Sequence, residues 1–203
     1  MLGDLWSFQG RYRTLHLTWI AFFLTFVVWF NLAPLATTVK ADLGLTVGQI
    51  RTVAICNVAL TIPARVLIGM LLDKFGPRIT YSSILVFSAI PCLLFASAQD
   101  FNQLVVARLL LSIVGAGFVI GIRMVAEWFP PKEIGLAEGI YGGWGNFGSA
   151  FSALTMVALA GFLSFSGGFE LPTGAVLNWR GAIALTGIVS AVYGCFYFFN
   201  VTD

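Results

Sequence analysis

Three observations predict an all-α, polytopic membrane protein with six transmembrane helices. Hydrophobic residues make up 59% of the 203-residue sequence, charged residues only 10%, and the mean hydropathy is +0.92. A soluble domain is about one quarter charged. The apolar residues fall into runs at about 17–39, 53–72, 79–98, 104–125, 136–163 and 181–200. At 1.5 Å per residue, each is long enough to cross a hydrocarbon core about 30 Å thick. Short charged or Pro/Gly-containing segments separate them, as expected of successive crossings.

The same composition excludes several classes. A net charge of +2 is too small to imply nucleic acid. Cys56, Cys92 and Cys195 all lie inside apolar runs and read as packing residues rather than disulfides or metal ligands. His16 is the single histidine, so no metal cluster is expected. No Ser-His-Asp set and no phosphate-cradling glycine loop with its Lys-Ser/Thr is present, which argues against an enzyme and against a bound cofactor. The first apolar run exceeds the 7–15 residues of a cleaved signal and lacks a small-x-small site before the next charge.

Residues 1–16 read as a polar lead with Arg11 and Arg13. The first span carries Trp19, Phe22, Phe23, Phe26, Trp29 and Phe30 at spacings that place them on one stripe, suited to lipid contact or helix packing. The second span is the most informative. Arg65 stands inside it, about 12 Å of helix before the charged pair Asp73-Lys74. An intramembrane arginine costs on the order of 2.5–3.5 kcal/mol by insertion scales, so it needs compensation or a purpose. Asn57, Thr61, Arg65, Gly69 and Asp73 recur at every fourth position and predict a slanted polar band on one face. Depth and this band favour a binding arginine over one that snorkels to headgroups. Its planar, forked donors suit a small oxyanion. Pro63 frees the carbonyl of Ala59 and predicts a bend beside the charge.

The third span contains Pro91, and the fourth contains Arg108 one turn inside its start. Arg108 could line a cavity or snorkel, and its shallow position favours snorkelling. Ser112, Gly115, Gly117 and Gly121 give the fourth span a small-residue face, and Arg123 and Glu127, four apart, are expected to pair. The fifth span opens with Gly139, Gly142, Gly143, Gly145 and Gly148. Glycine costs about 1 kcal/mol per helix position relative to alanine, so the run needs a reason. Either a neighbouring helix approaches closely, or a small ligand reaches bare backbone beside the amide of Asn146. A Gly-rich loop over 164–178 precedes the sixth span. Six crossings place both ends on one side. With Arg11, Arg13, Lys74, Arg78, Arg123 and Lys132 there against Lys40, Arg51 and Arg180 opposite, that side is predicted to be cytoplasmic.

Two motifs carry a resemblance. The segment Gly69-x-x-x-Asp73-Lys74-Phe75-Gly76-Pro77-Arg78 resembles the loop signature of the major facilitator superfamily, with Pro77 where a basic residue is usual. The run Gly142-Gly143-Trp144-Gly145-Asn146-Phe147-Gly148 is similar to the signature of the nitrate/nitrite porter family within it, in its cyanobacterial form. The resemblance spans essentially the whole chain. It implies one six-helix half, built of two inverted three-helix repeats, of a twelve-helix carrier in the cell membrane. Nitrate or nitrite would sit between the halves, held by one arginine from each.

Carried over, the resemblance makes Arg65 this half's anion ligand and places Gly143, Gly145 and Asn146 in the close-packed helix beside it. Gly69, Asp73, Gly76 and Arg78 would form a cytoplasmic gate clasp. The partners implied are the anion, the bilayer and a second six-helix half, which the 203 residues do not contain; residues 201–203 would begin the linker to it. Two other readings remain: a carrier of another small anion, and a non-transporting truncated or assembly protein.

Overall fold

The computed structural model describes residues 7–202. Nearly all of them are helical: α1 (Gly10–Phe30), α2 (Ala36–Asp42), α3 (Val47–Ala59), α4 (Thr61–Phe87), α5 (Ala89–Ser97), α6 (Phe101–Ser112), α7 (Gly117–Trp128), α8 (Pro131–Phe162) and α9 (Trp179–Asn200). These helices join into five apolar stretches long enough to cross a membrane, Gly10–Asp42, Val47–Ser97, Phe101–Trp128, Pro131–Ser166 and Trp179–Asn200. The second holds 51 residues, about 76 Å of helix and more than twice a bilayer core. It breaks at Gly76, whose φ of 76° and ψ of 168° lie outside helical space. Glycine adopts such a φ without strain, and Pro77 then opens the next arm with no N–H to satisfy. The stretch is therefore two arms, 47–75 and 77–97.

Charged contacts mark the two ends of the bundle. At one, Arg123 meets Asp73 at 2.9 Å and Glu127 at 2.5 Å, and Arg11 meets Glu133 at 2.8 Å. Arg13 also donates to Asn200 there at 3.0 Å. At the other, Trp179 Nε1 donates to Asp42 at 2.8 Å, and Arg180 donates to the carbonyls of Ala96 and Ala98. These are the Asp73 rim and the Asp42 rim. The expected pairing of Arg123 with Glu127 is present, with Asp73 added as a second acceptor.

The aromatic stripe of α1 is packing surface. Phe22 stacks on Tyr141 with ring centroids 4.9 Å apart, Phe23 lies 5.2 Å from Phe151, and Trp19 lies 5.5 Å from Trp144. All three partners belong to α8. The close approach is permitted by α8 itself. A Cβ at Gly145 would overlap the Phe22 ring, and one at Gly148 would overlap the carbonyl of Phe23.

Element boundaries depart from the sequence reading at several places, among them the second span, read from 53 but opened by α3 at Val47. Helix α1 begins at Gly10, inside the stretch read as a lead, because Tyr12 and Leu15 are buried and the Arg11 guanidinium lies 5.3 Å over the Phe129 ring. Helix α8 begins at Pro131, where proline suits the first turn. The 164–178 loop contains a two-stranded antiparallel hairpin, β1 (Phe169–Glu170) and β2 (Val176–Leu177). Residues 1–6 of the predicted lead and Asp203 lie outside the described residues.

Candidate functional site

The second crossing is built in two pieces. Helix α3 starts from a Thr46 capping box with Gln49 and runs to Ala59. At Leu60 the backbone leaves helical geometry, and α4 restarts at Thr61. Ser112 of α6 stabilises the break: its hydroxyl accepts the Leu60 N–H at 3.2 Å, and its carbonyl accepts the Thr61 hydroxyl at 3.2 Å. Pro63 then falls in the first turn of α4, where a missing N–H costs little.

This break divides the predicted polar band. Asn57 turns into the bundle, where it donates to the Trp29 carbonyl at 2.8 Å and accepts from Arg108 at 3.2 Å. Thr61 is buried against Ser112, and Asp73 pairs with Arg123 at the rim. Arg65 follows neither direction. In α4 before Gly76 the buried positions are Thr61, Ala64, Ile68 and Leu72, and Arg65 lies about 100° round the helix from Ala64. Its side chain is exposed, among the exposed apolar residues Ile62, Val66 and Met70. Among the described residues it has no hydrogen-bond or ion-pair partner. The guanidinium is thus a charge on an otherwise apolar surface, with all its donors available.

The glycine run of α8 divides between a packed face and an open one. Gly145 and Gly148 are buried against α1, whereas a Cβ at Gly139, Gly142 or Gly143 would meet nothing within 4 Å. Gly143 therefore leaves backbone bare on an exposed face. Asn146 is exposed as well, but its Nδ2 donates to the Gly142 carbonyl at 2.7 Å. That bond takes one of its two N–H donors, which leaves the second N–H and Oδ1 open to solvent. In the loop motif, Gly69 has open space around it, Gly76 makes the break, and Arg78 lies 5.0 Å over the Phe198 ring.

Arg108 corrects the sequence reading. It does not snorkel: the side chain is fully buried. Its Nη2 donates to Asn31 Oδ1 at 2.8 Å, its Nη1 to Asn57 Oδ1 at 3.2 Å, and its guanidinium lies 4.3 Å over the Phe95 ring. Asn31 in turn donates to Thr186 at 2.9 Å, which ties α9 into the same polar core. The reason is packing. Four helical stretches surround this turn of α6, so protein amides lie nearer than any headgroup. The sequence signal that went unread was Asn31, a lone amide at the end of the aromatic first helix.

The bundle thus joins an exposed arginine on an apolar face, a helical hairpin broken at Gly76 and a glycine-bearing packing helix. Residues 18–203 match the Major Facilitator Superfamily, and the chain belongs to that superfamily. It is 62% identical to the nitrate/nitrite transporter NrtP of Picosynechococcus sp. over 217 aligned residues, covering 100% of this chain and 41% of that protein. It is 61% identical to the nitrate/nitrite transporter NrtP of Nostoc punctiforme over 203 residues, covering 100% of this chain and 39% of the relative. A bacterial homologue of the human lysosomal transporter Spinster, inward-facing and occupied, shares the fold. The TM-score is 0.77 at 19% identity, over 95% of this chain and 44% of that structure. The chain spans about two fifths of the length of the curated relatives it matches.

Proposed function

We propose that this chain is the N-terminal six-helix half of a nitrate/nitrite carrier that works by alternating access in the cell membrane. The observation that carries the reading is Arg65, an unpartnered guanidinium on an exposed apolar face of α4. Such a charge is costly against lipid and useful against an anion. The identity to two nitrate/nitrite transporters supports the substrate class.

In this reading a second six-helix half covers the exposed face of α4 and α8, and the anion sits between the halves. The forked donors of Arg65 bind two oxygens of a planar oxyanion at once. Gly143 lets ligand or opposing helix approach the backbone of α8, and Asn146 supplies the amide N–H that Gly142 does not take. Gly145 keeps α8 seated on α1 so that these groups are held in place. The half is read as two inverted three-helix repeats with crossings at about 17–39, 53–72, 79–98 and 104–125, 136–163, 181–200, and the chain's ends as cytoplasmic. The Asp73 rim is then the cytoplasmic gate, with Gly69, Asp73, Gly76 and Arg78 in its hinge and clasp.

Competition separates nitrate from other anions. In proteoliposomes bearing the full carrier, unlabelled nitrate and nitrite are expected to suppress labelled nitrate uptake, while chloride, formate and cyanate leave it largely intact. Stronger suppression by formate or cyanate would assign another small anion as substrate.

A further inference from the structure

Arg108 is outside the open face, yet it is a full charge within the bundle. Its ligands are neutral: two amide oxygens and an aromatic ring. Among the described residues no carboxylate reaches it, and its Nε has no acceptor. The acidic side chains sit elsewhere: Asp42, Asp73, Glu127 and Glu133 are bonded to other groups at the rims. Burying an unpaired charge is far costlier than burying a neutral donor, and neutral amides and hydroxyls suffice to join membrane helices. Hydrogen bonding alone therefore does not account for an arginine at this position. Its charge does.

We infer that Arg108 is a second determinant of anion affinity, a buried, uncompensated cation that makes the substrate site more positive without touching the substrate. This rests on the proposal that the carrier's substrate is an anion bound at Arg65. Arg108 is bonded to Asn57, eight residues before Arg65 across the break at Leu60, a rise of at most about 12 Å. A unit charge about 12 Å from an anion, in an effective dielectric of about 20, changes its binding constant roughly tenfold. Arg108 is a positioning residue in this sense: it sets the field in which Arg65 works. It also lies on the Asp42 side of Arg65, so an anion between that rim and Arg65 feels both charges.

The test supplies the missing counter-ion. Asn31→Asp places a carboxylate where the guanidinium now meets an amide oxygen, and the hydroxyl of Thr186 can turn to donate to it. In the full carrier, three variants are compared with wild type by labelled-nitrate KM, maximal rate and thermal midpoint in detergent: Asn31→Asp, Arg108→Gln and Arg108→Lys. Asn31→Asp is expected to keep or raise the midpoint while raising KM roughly tenfold, with the maximal rate within about twofold. A purely structural role predicts the opposite pattern, an equal or better carrier. Should Asn31→Asp not fold, the two Arg108 variants decide. A KM raised in Gln and restored in Lys supports the inference, and equal values in the two overturn it. Wild-type uptake with an unchanged KM in folded Asn31→Asp overturns this inference alone. Wild-type protein without anion uptake overturns the carrier reading and this inference together.

Discussion

The Leu60 N–H donates to the Ser112 hydroxyl at 3.2 Å, and that bond marks where the second crossing changes direction. Before it, Asn57 faces the bundle and Arg108; after it, Arg65 faces out. One serine on α6 thereby sets the relation between a buried cation and an exposed one.

Ser112→Ala is expected to remove a half-buried bond to the Leu60 amide, which keeps only the Val58 carbonyl, a loss of about 0.5–1.5 kcal/mol. The detergent melting midpoint should fall, and the apparent KM for the anion should rise a few-fold as α4 loses its orientation. An unchanged midpoint and KM would mean that the break at Leu60 is held by α4 itself.

Two glycines of one helix should respond in opposite ways. At Gly145 any side chain meets the Phe22 ring, so Gly145→Leu is expected to cost several kcal/mol and to lower expression of folded protein. Trimming the ring with Phe22→Ala should recover part of that loss. A Cβ at Gly143 meets nothing within 4 Å, so Gly143→Leu should insert and fold normally, yet abolish transport, because the added side chain fills the space left for ligand or opposing helix. Fluorescence size-exclusion profiles read the folding of each, and uptake reads the function.

The Asp73–Arg123 pair is exposed on both sides, so its contribution to stability is at most about 1 kcal/mol. Its effect is expected in turnover instead. Asp73→Asn should reduce the transport rate with little change in melting midpoint. The charge-swapped double variant Asp73→Arg, Arg123→Asp should recover part of the rate. No recovery would assign Asp73 a partner beyond Arg123.

Much of this arrangement was legible in the residues. Hydropathy and run length mark the apolar helical stretches, and the Gly76-Pro77 pair foretells the turn that divides the longest of them. Spacing also gives the Arg123–Glu127 pair. The buried environment of Arg108 was not legible, because depth along a helix does not say which neighbours surround it; that depends on how α1, α3, α5 and α9 close around α6. The polar band of the second span failed as one face for a related reason. A four-residue repeat drifts about 40° per step, and the break at Leu60 adds a change of direction that no periodicity records. The loop hairpin was missed because two-residue strands are too short to carry an alternating pattern.

The most direct measurement is labelled-nitrate uptake by the full carrier bearing Arg65→Ala or Arg65→Lys, in proteoliposomes containing matched amounts of folded protein. The account predicts no uptake above background for alanine. Lysine keeps the charge but loses the fork, and should raise the apparent KM roughly tenfold or more. Wild-type kinetics in either variant would contradict Arg65 as the anion ligand.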